Sequence, residues 1–266
     1  GDSLQRIYGF IGAIPGIMEL AKEQFQMEPI QLTKNYRFMN NKEMLRLDAN
    51  IRNNAKTQFR NHNLEAAKVQ TLFSKSHEGE VDSIIKLIKK IQECEQESKV
   101  AVLFRGRGKN VQILQDILDE EHINYFYGMF KDDDDEYIMF HIMCQSKFIK
   151  IFGNKRTVSR RALQKFVNEV ESGYSDCNSP IIQSLIVLLN AMILKVENDY
   201  KELQPEEKYE LILDIFENRQ LKQAMEYVDT NVILSTVHGS KGLEWNYVIM
   251  ADVEQWIFPG YPVCSK

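Results

Sequence analysis

The sequence predicts an α/β protein: a parallel sheet with helical crossovers that is interrupted by an all-helical insertion. Over the first half of the chain, short apolar runs alternate with amphipathic stretches, which is typical of parallel strands joined by helices. This alternation stops near Gly128, where helical patterns take over. A strand pattern returns from Val232. The predicted order along the chain is therefore sheet, helical insertion, sheet.

The elements of the first half follow from the spacing of apolar residues. Short, mostly apolar runs predict strands, and apolar residues that recur every three or four positions predict amphipathic helices. The predicted strands are residues 30–32, 69–73, 99–104 and 124–127, and the predicted helices are residues 41–58, 81–91 and 111–118.

Residues 128–230 are predicted to be helical. Proline is favoured in the first turn of a helix, so Ser179-Pro180 and Pro205 mark two helix starts, and a further helix is expected at residues 220–227. The most apolar stretch, residues 181–194, is predicted to be a buried core helix that is too short to span a bilayer. The acidic run at residues 132–136 is predicted to be a solvated loop.

Composition limits the classes of protein that fit. The chain has 266 residues, of which 44% are hydrophobic and 27% charged, as in a soluble protein of one large or two moderate domains. Its net charge of -5 provides no overall basic field, so binding of nucleic acid would depend on local patches. The 4 cysteines lie far apart, which predicts reduced thiols, a cytoplasmic protein and no metal site. A chain without an initiator methionine or a signal peptide is expected to be part of a longer cytoplasmic protein.

A loop between two apolar runs, residues 233–237 and 247–250, carries the strongest functional signal. It concentrates hydroxyl, imidazole and ammonium donors, two glycines and a carboxylate: Thr236, His238, Gly239, Ser240, Lys241, Gly242 and Glu244. Parallel sheets bind ligands at the carboxyl ends of their strands, and glycines let backbone N–H groups approach an anion closely. The loop therefore predicts a site for a ligand that carries phosphates and sugars.

Two other stretches are candidates for the same ligand. In residues 1–13, Gln5 could sense a polar group while Tyr8 or Phe10 stacks on a base, although the aromatics could equally be core residues at a strand end. After residues 32–35, Tyr36 could cover a nucleobase and Arg37 could hold a phosphate. An exposed arginine beside a half-buried tyrosine is the alternative.

In this order, the three stretches resemble motifs III, IV and V of the UvrD/Rep/PcrA family of superfamily 1 DNA helicases. Residues 101–128 also resemble the core of the family's second domain. Ile11 stands where the family usually has arginine, and no G-x-x-x-x-G-K-[ST] motif occurs in the chain; Arg105 to Lys109 is predicted to be a turn after a strand. The residues that carry the resemblance are Gly1, Asp2, Gln5, Ile7, Tyr8, Phe10, Gly12 and Ala13, then Asn35, Tyr36 and Arg37, then Thr236, Val237, His238, Ser240, Lys241, Gly242, Leu243 and Glu244.

The resemblance implies the carboxyl-terminal portion of an ATP-dependent helicase or translocase that moves on single-stranded DNA, 3′ to 5′. It implies a RecA-like sheet, with residues 1–16 as the tail of the first motor domain, 17–127 with 231–266 as the second, and 128–230 as a short 2B-like insertion. ATP and Mg²⁺ would be required, together with phosphate-binding motifs that the chain lacks. The chain alone is therefore expected to be inactive.

The same resemblance implies a role for each candidate residue. Gln5 and Arg37 would be catalytic through the γ-phosphate, and Tyr36, Arg37, Gly242 and Glu244 would bind the nucleotide. Contacts with DNA would come from Tyr8, Phe10, Thr236, His238, Ser240 and Lys241. The basic stretch at residues 147–165 would hold duplex DNA or be a solvated helix face. A nucleic-acid-binding module without a motor, or part of a recombination helicase–nuclease, is the alternative function.

Overall fold

A computed structural model describes residues 16–28, 30, 34–36, 38–54 and 69–254. The chain divides into two compact units, Gly1–Leu72 and Phe73–Lys266. The described part of the first unit contains helices α1 (Ile17–Phe25) and α2 (Lys42–Asn54). Helix α2 confirms the helix predicted in this region, whereas α1 was not predicted from the sequence.

The second unit contains the sheet and the remaining helices of the described residues. In chain order these are α3 (His77–Cys94), β1 (Val100–Phe104), α4 (Lys109–Glu120), β2 (Tyr125–Gly128), α5 (Asp135–Phe152), α6 (Arg160–Ser172), α7 (Pro180–Asp199), α8 (Pro205–Glu217), a 3₁₀ helix (Leu221–Tyr227), β3 (Val232–Thr236) and β4 (Tyr247–Met250).

Polar side chains define several helix starts. The hydroxyl of Ser76 accepts the backbone N–H of Gly79 at 3.1 Å and so caps α3. Ser159 and Ser179 cap α6 and α7 in the same way. Serine is favoured here because its side chain satisfies a backbone donor that has no partner inside the helix. The helix starts predicted at Pro180 and Pro205 are confirmed.

The four strands form a fully parallel sheet in the order β2-β3-β1-β4. Every residue of the central strands β1 and β3 is buried, which explains why both strands read as continuous apolar runs. At the end of β2, a Cβ on Gly128 would lie 2.8 Å from the carbonyl oxygen of Leu234, so only glycine fits. The sheet and its helical crossovers confirm the predicted α/β fold.

The two faces of the sheet belong to different hydrophobic clusters. Side chains alternate along a strand, so Val100, Val102 and Phe104 share one face, where they pack with helices α3 and α4. On the other face, Phe126 and Ile233 join the core formed by the helices that follow β2. The second unit therefore has three layers, with the sheet in the middle.

Residues between β2 and β3 are mainly helical, as predicted, and they pack directly against the sheet. Helix α7 lies at their centre, with contacts to α5, α6, β2 and the 3₁₀ helix. Because this helical core includes Phe126 and Ile233 from the strands, the helices cover one sheet face. The division of the chain into domains at residues 16, 127 and 230 stays a prediction.

Helix α7 is the most apolar helix in the described part of the chain. Its 20 residues are long and apolar enough to cross a membrane by length and composition, so the prediction that this stretch was too short is wrong. Of the 18 consecutive residues of α7 that are most apolar, 56% are buried. Ten of its side chains lie in the core of the protein, including Leu185, Leu188 and Met192, which confirms the prediction of a core helix.

Two local predictions are wrong. Residues 69–73 form no strand, and Phe73 is 93% exposed, because apolar composition alone does not provide a neighbouring strand for pairing. The acidic run is more than a solvated loop: Asp134 pairs with Arg107, Asp132 pairs with Lys222, and the run leads into α5.

Candidate functional site

The segment between β3 and β4 crosses the sheet from one end to the other. The backbone N–H of Val237 donates to the carbonyl of Phe104 at 2.9 Å, at the carboxyl end of β1. At the other end of the segment, the N–H of Tyr247 donates to the carbonyl of Lys99 at 3.1 Å, just before β1 begins. Only the first part of the segment therefore lies at the carboxyl edge of the sheet, where the sequence placed the whole loop.

That first part is a tight turn of residues 236–243, which we call the β3 turn. The hydroxyl of Thr236 accepts the N–H of Gly239 at 2.8 Å, and its carbonyl accepts the N–H of Ser240 at 3.0 Å. The hydroxyl of Ser240 donates to the carbonyl of Val237 at 2.8 Å. Thr236 is 8% exposed. Both hydroxyls thus stabilise the turn itself, which the sequence analysis did not predict.

Four predicted site residues of the β3 turn and its continuation lie on the surface: His238, Lys241, Gly242 and Glu244. Gly242 has a φ of +86°, a left-handed conformation that glycine adopts without the steric cost of a side chain. The turn therefore presents an imidazole, an ammonium and a carboxylate on a backbone whose conformation is fixed by its own hydrogen bonds.

The end of the segment is anchored by apolar side chains. Leu243 and Trp245 pack against the helical core on the sheet face opposite α3 and α4. The indole N–H of Trp245 is buried without a hydrogen-bond partner among the described residues. The sequence analysis missed these anchors, although a leucine and a tryptophan that alternate with polar residues were a readable signal.

The loop that follows β1 lies at the same edge of the sheet, because β1 and β3 are parallel neighbours. Residues 105–108 join β1 to α4, which confirms the predicted turn. The guanidinium of Arg107 donates to the carbonyl of Met129 at 2.9 Å and pairs with Asp134. Arg107 thus holds together the loops that follow β1 and β2.

Residues 136–265 match the family of the UvrD-like helicase C-terminal domain. The matched range begins in α5 and includes β3, the β3 turn and β4. This match supports the predicted UvrD-like helicase C-terminal portion. None of the curated proteins compared with it matches.

Among the predicted site residues of the first unit, Tyr36 lies within the described part of the chain, and Gln5, Tyr8, Phe10 and Arg37 lie outside it. The ring of Tyr36 is 66% exposed, and the ammonium of Lys34 lies 4.5 Å from the ring centroid. The face of the ring is therefore accessible to a planar group and already contacts a cation.

The basic stretch at residues 147–165 is divided between the end of α5, a connecting loop and α6. Arg156 forms an ion pair with Glu210 at 2.9 Å, and the ammonium of Lys147 donates to the carbonyl of Glu169 at 3.0 Å. Two cations of the stretch therefore interact with other groups of the protein. Contact between the stretch and duplex DNA stays a prediction.

Proposed function

We propose that this chain is the part of an ATP-dependent UvrD-type helicase or translocase that couples the nucleotide to single-stranded DNA. Movement would be 3′ to 5′. The observation that carries the proposal is the β3 turn, which presents His238 and Lys241 at the carboxyl edge of a parallel sheet and lies inside the matched family range. Parallel α/β sheets bind their ligands at this edge.

On the DNA side, the exposed ammonium and imidazole groups of the β3 turn fit a phosphate backbone. Lys241 would contribute a positive charge and His238 a hydrogen bond. The hydroxyls of Thr236 and Ser240 each already make one hydrogen bond within the turn. A hydroxyl can make further hydrogen bonds, and Thr236 and Ser240 would contact DNA through these. Tyr8 and Phe10 would stack on bases.

On the nucleotide side, the exposed ring of Tyr36 fits an adenine, with Arg37 and Gln5 at the γ-phosphate. Gly242 and Glu244 would line the ribose side. The sequence contains no G-x-x-x-x-G-K-[ST] loop, so these residues do not by themselves make a site for ATP and Mg²⁺. We therefore expect no ATP hydrolysis from the 266-residue chain alone.

Substitution of Lys241 in the complete helicase tests the DNA assignment. Lys241→Ala should weaken binding of single-stranded DNA in fluorescence anisotropy and reduce the salt slope of log K by about 0.7, the contribution of one phosphate contact. Lys90→Ala, at an exposed position of α3, makes the same change in net charge and should leave both values unchanged. If both substitutions changed the DNA affinity and its salt slope equally, Lys241 would act only through the net charge of the protein.

Substitution of Arg37 tests the motor function separately. Arg37→Ala should reduce DNA-stimulated ATP hydrolysis by roughly 10³-fold or more, while DNA affinity stays close to that of the unmodified helicase. DNA binding without any ATP hydrolysis by the unmodified complete protein would instead identify a binding module that has no motor.

A further inference from the structure

Three potential metal ligands meet at the carboxyl edge of the sheet, beyond the end of β4. His77 and Glu80 lie in the first turn of α3, and Asp252 follows β4 by two residues. One ligand atom from each lies within 4.8 Å of the others, and all three residues are partly exposed. The cluster joins segments that are 172 residues apart in the sequence.

The two carboxylates are aligned by hydrogen bonds. The backbone N–H of Asp252 donates to Oε1 of Glu80 at 2.9 Å. The side-chain amide of Asn110, in the first turn of α4, donates through Nδ2 to Oε2 of Glu80 at 2.8 Å and also to Oδ1 of Asp252. A shared donor of this kind holds both carboxylates towards the same point.

Glu80 and Asp252 bring their negative charges together here, and neither forms an ion pair with a lysine or arginine of the described residues. The ion pairs of this region involve other acids: Lys109, for example, pairs with the neighbouring Glu78 at 3.4 Å. A cation bound between the carboxylates would remove this unfavourable charge.

A buried polar atom beside the cluster lacks a partner. Asn110 is 3% exposed, and its Oδ1 has no hydrogen-bond partner in the described part of the protein. Oδ1 belongs to the same planar amide group as Nδ2, which donates to both carboxylates. Buried polar atoms of this kind generally have a partner, so the position favours an additional donor. Water bound to a metal ion is such a donor.

We propose that His77, Glu80 and Asp252 bind one divalent transition-metal ion, with Asn110 as a positioning residue. One imidazole and two carboxylates suit Zn²⁺ or Mn²⁺, and three protein ligands leave a position for water. Nδ2 of Asn110 orients the ligating carboxylates, as partners of metal ligands usually do, and Oδ1 accepts from the bound water. Ligands at about 2.1 Å from Zn²⁺ lie roughly 3.4 Å apart, so the side chains move inward on binding.

Titration of the 266-residue chain with MnCl₂, followed by the electron paramagnetic resonance signal of free Mn²⁺, tests the proposal. Mn²⁺ is the first probe because it binds the free cysteines poorly, whereas Zn²⁺ prefers them. We expect one bound Mn²⁺ per chain that ZnCl₂ displaces. Glu80→Gln and Asp252→Asn should each weaken binding at least about tenfold, and Asn110→Leu should weaken it about 10- to 100-fold without removing a ligand.

Glu78→Gln is the matched control, since Glu78 lies in the same helical turn but is paired with Lys109, and it should bind Mn²⁺ like the unmodified chain. If the carboxylate variants do not fold by circular dichroism, His77→Ala at the cluster's edge takes their place and should show the same loss. Absence of Mn²⁺ binding, or equal binding by Glu80→Gln and Glu78→Gln, would overturn the proposal. The carboxylates would then be explained by the hydrogen bonds at the starts of α3 and α4 alone.

Discussion

The hydroxyl of Thr236 accepts the backbone N–H of Gly239 at 2.8 Å, although Thr236 is the last residue of a buried strand. The bond makes Thr236 equivalent to the capping residue of a helix, and it fixes how the chain leaves the sheet. The exposed His238 lies between the two bonded residues, so its position depends on this contact.

Thr236→Val should destabilise the protein by about 1 kcal/mol, because it removes a capping acceptor without a large change in shape. Thr236→Ser keeps the acceptor and is the control. The free energy of unfolding of both variants can be compared by urea denaturation. A valine variant as stable as the unmodified chain would mean that the hydroxyl does not define the β3 turn.

Gly239→Ala should also destabilise the β3 turn, by about 1–3 kcal/mol. An added Cβ would lie 3.0 Å from the hydroxyl of Thr236 and 3.3 Å from that of Ser235, which is closer than ordinary contact. Gly106→Ala, in the loop after β1, would meet nothing within 4 Å and should be close to neutral. Melting curves of both variants test this difference; similar losses would indicate that glycine matters for backbone freedom in general and not for space at position 239.

The ammonium of Lys99 should contribute more to stability than an ordinary surface lysine. It donates to the carbonyls of Glu226 at 2.6 Å and Val228 at 2.7 Å, and thereby ties the end of the 3₁₀ helix to the start of β1. Burial lowers the pKa of Lys99, while Asp229 and Glu226 partly compensate.

Lys99→Met should therefore cost about 1–3 kcal/mol, because two carbonyls lose their charged donor. Lys89→Met removes a surface ion pair with Glu121 and should cost less than about 1 kcal/mol. Chemical denaturation of the two variants provides the comparison. Equal losses would show that the two carbonyls are satisfied by water once the lysine is removed.

Sequence patterns predicted the parts of the fold that depend on local physics. The strand at Val100 to Phe104 was predicted because a strand buried on both faces must be apolar throughout, and the start of α7 because Ser179-Pro180 combines a cap with a first-turn proline. The exposed turn residues His238 and Lys241 were visible for a similar reason: polar residues between two buried strands are unusual.

Features that depend on distant parts of the chain were not predicted. Asp252 and Glu80 are far apart in sequence, and nothing near either residue indicates that they meet. Residues 69–73 have the composition of a strand, but a strand also requires a neighbour with free backbone groups. The packing of Trp245 on the helical core likewise follows from the path of the whole segment across the sheet.

Burial of His141 should make the stability of the protein depend on pH. His141 is fully buried in α5; its Nδ1 donates to the carbonyl of Tyr137 at 2.7 Å, and its Nε2 has no partner among the described residues. Burial lowers its pKa from 6.5 to about 4, and the nearby cations Arg219 and Lys222 add to the effect, while Asp132 and the backbone of Tyr137 act against it.

Between pH 6.5 and 4, the unfolded chain binds a proton at this position and the folded chain does not, so the free energy of unfolding should fall as the pH is lowered through this range. The loss attributable to His141 is roughly 3 kcal/mol at its full extent. In His141→Leu this contribution is absent, so the variant should become progressively more stable than the unmodified chain from pH 7 to 4. His122→Asn, which changes an exposed histidine, is the matched control. Urea denaturation at several pH values measures the difference, and parallel profiles for the leucine variant and the unmodified chain would show that His141 becomes protonated in the folded state.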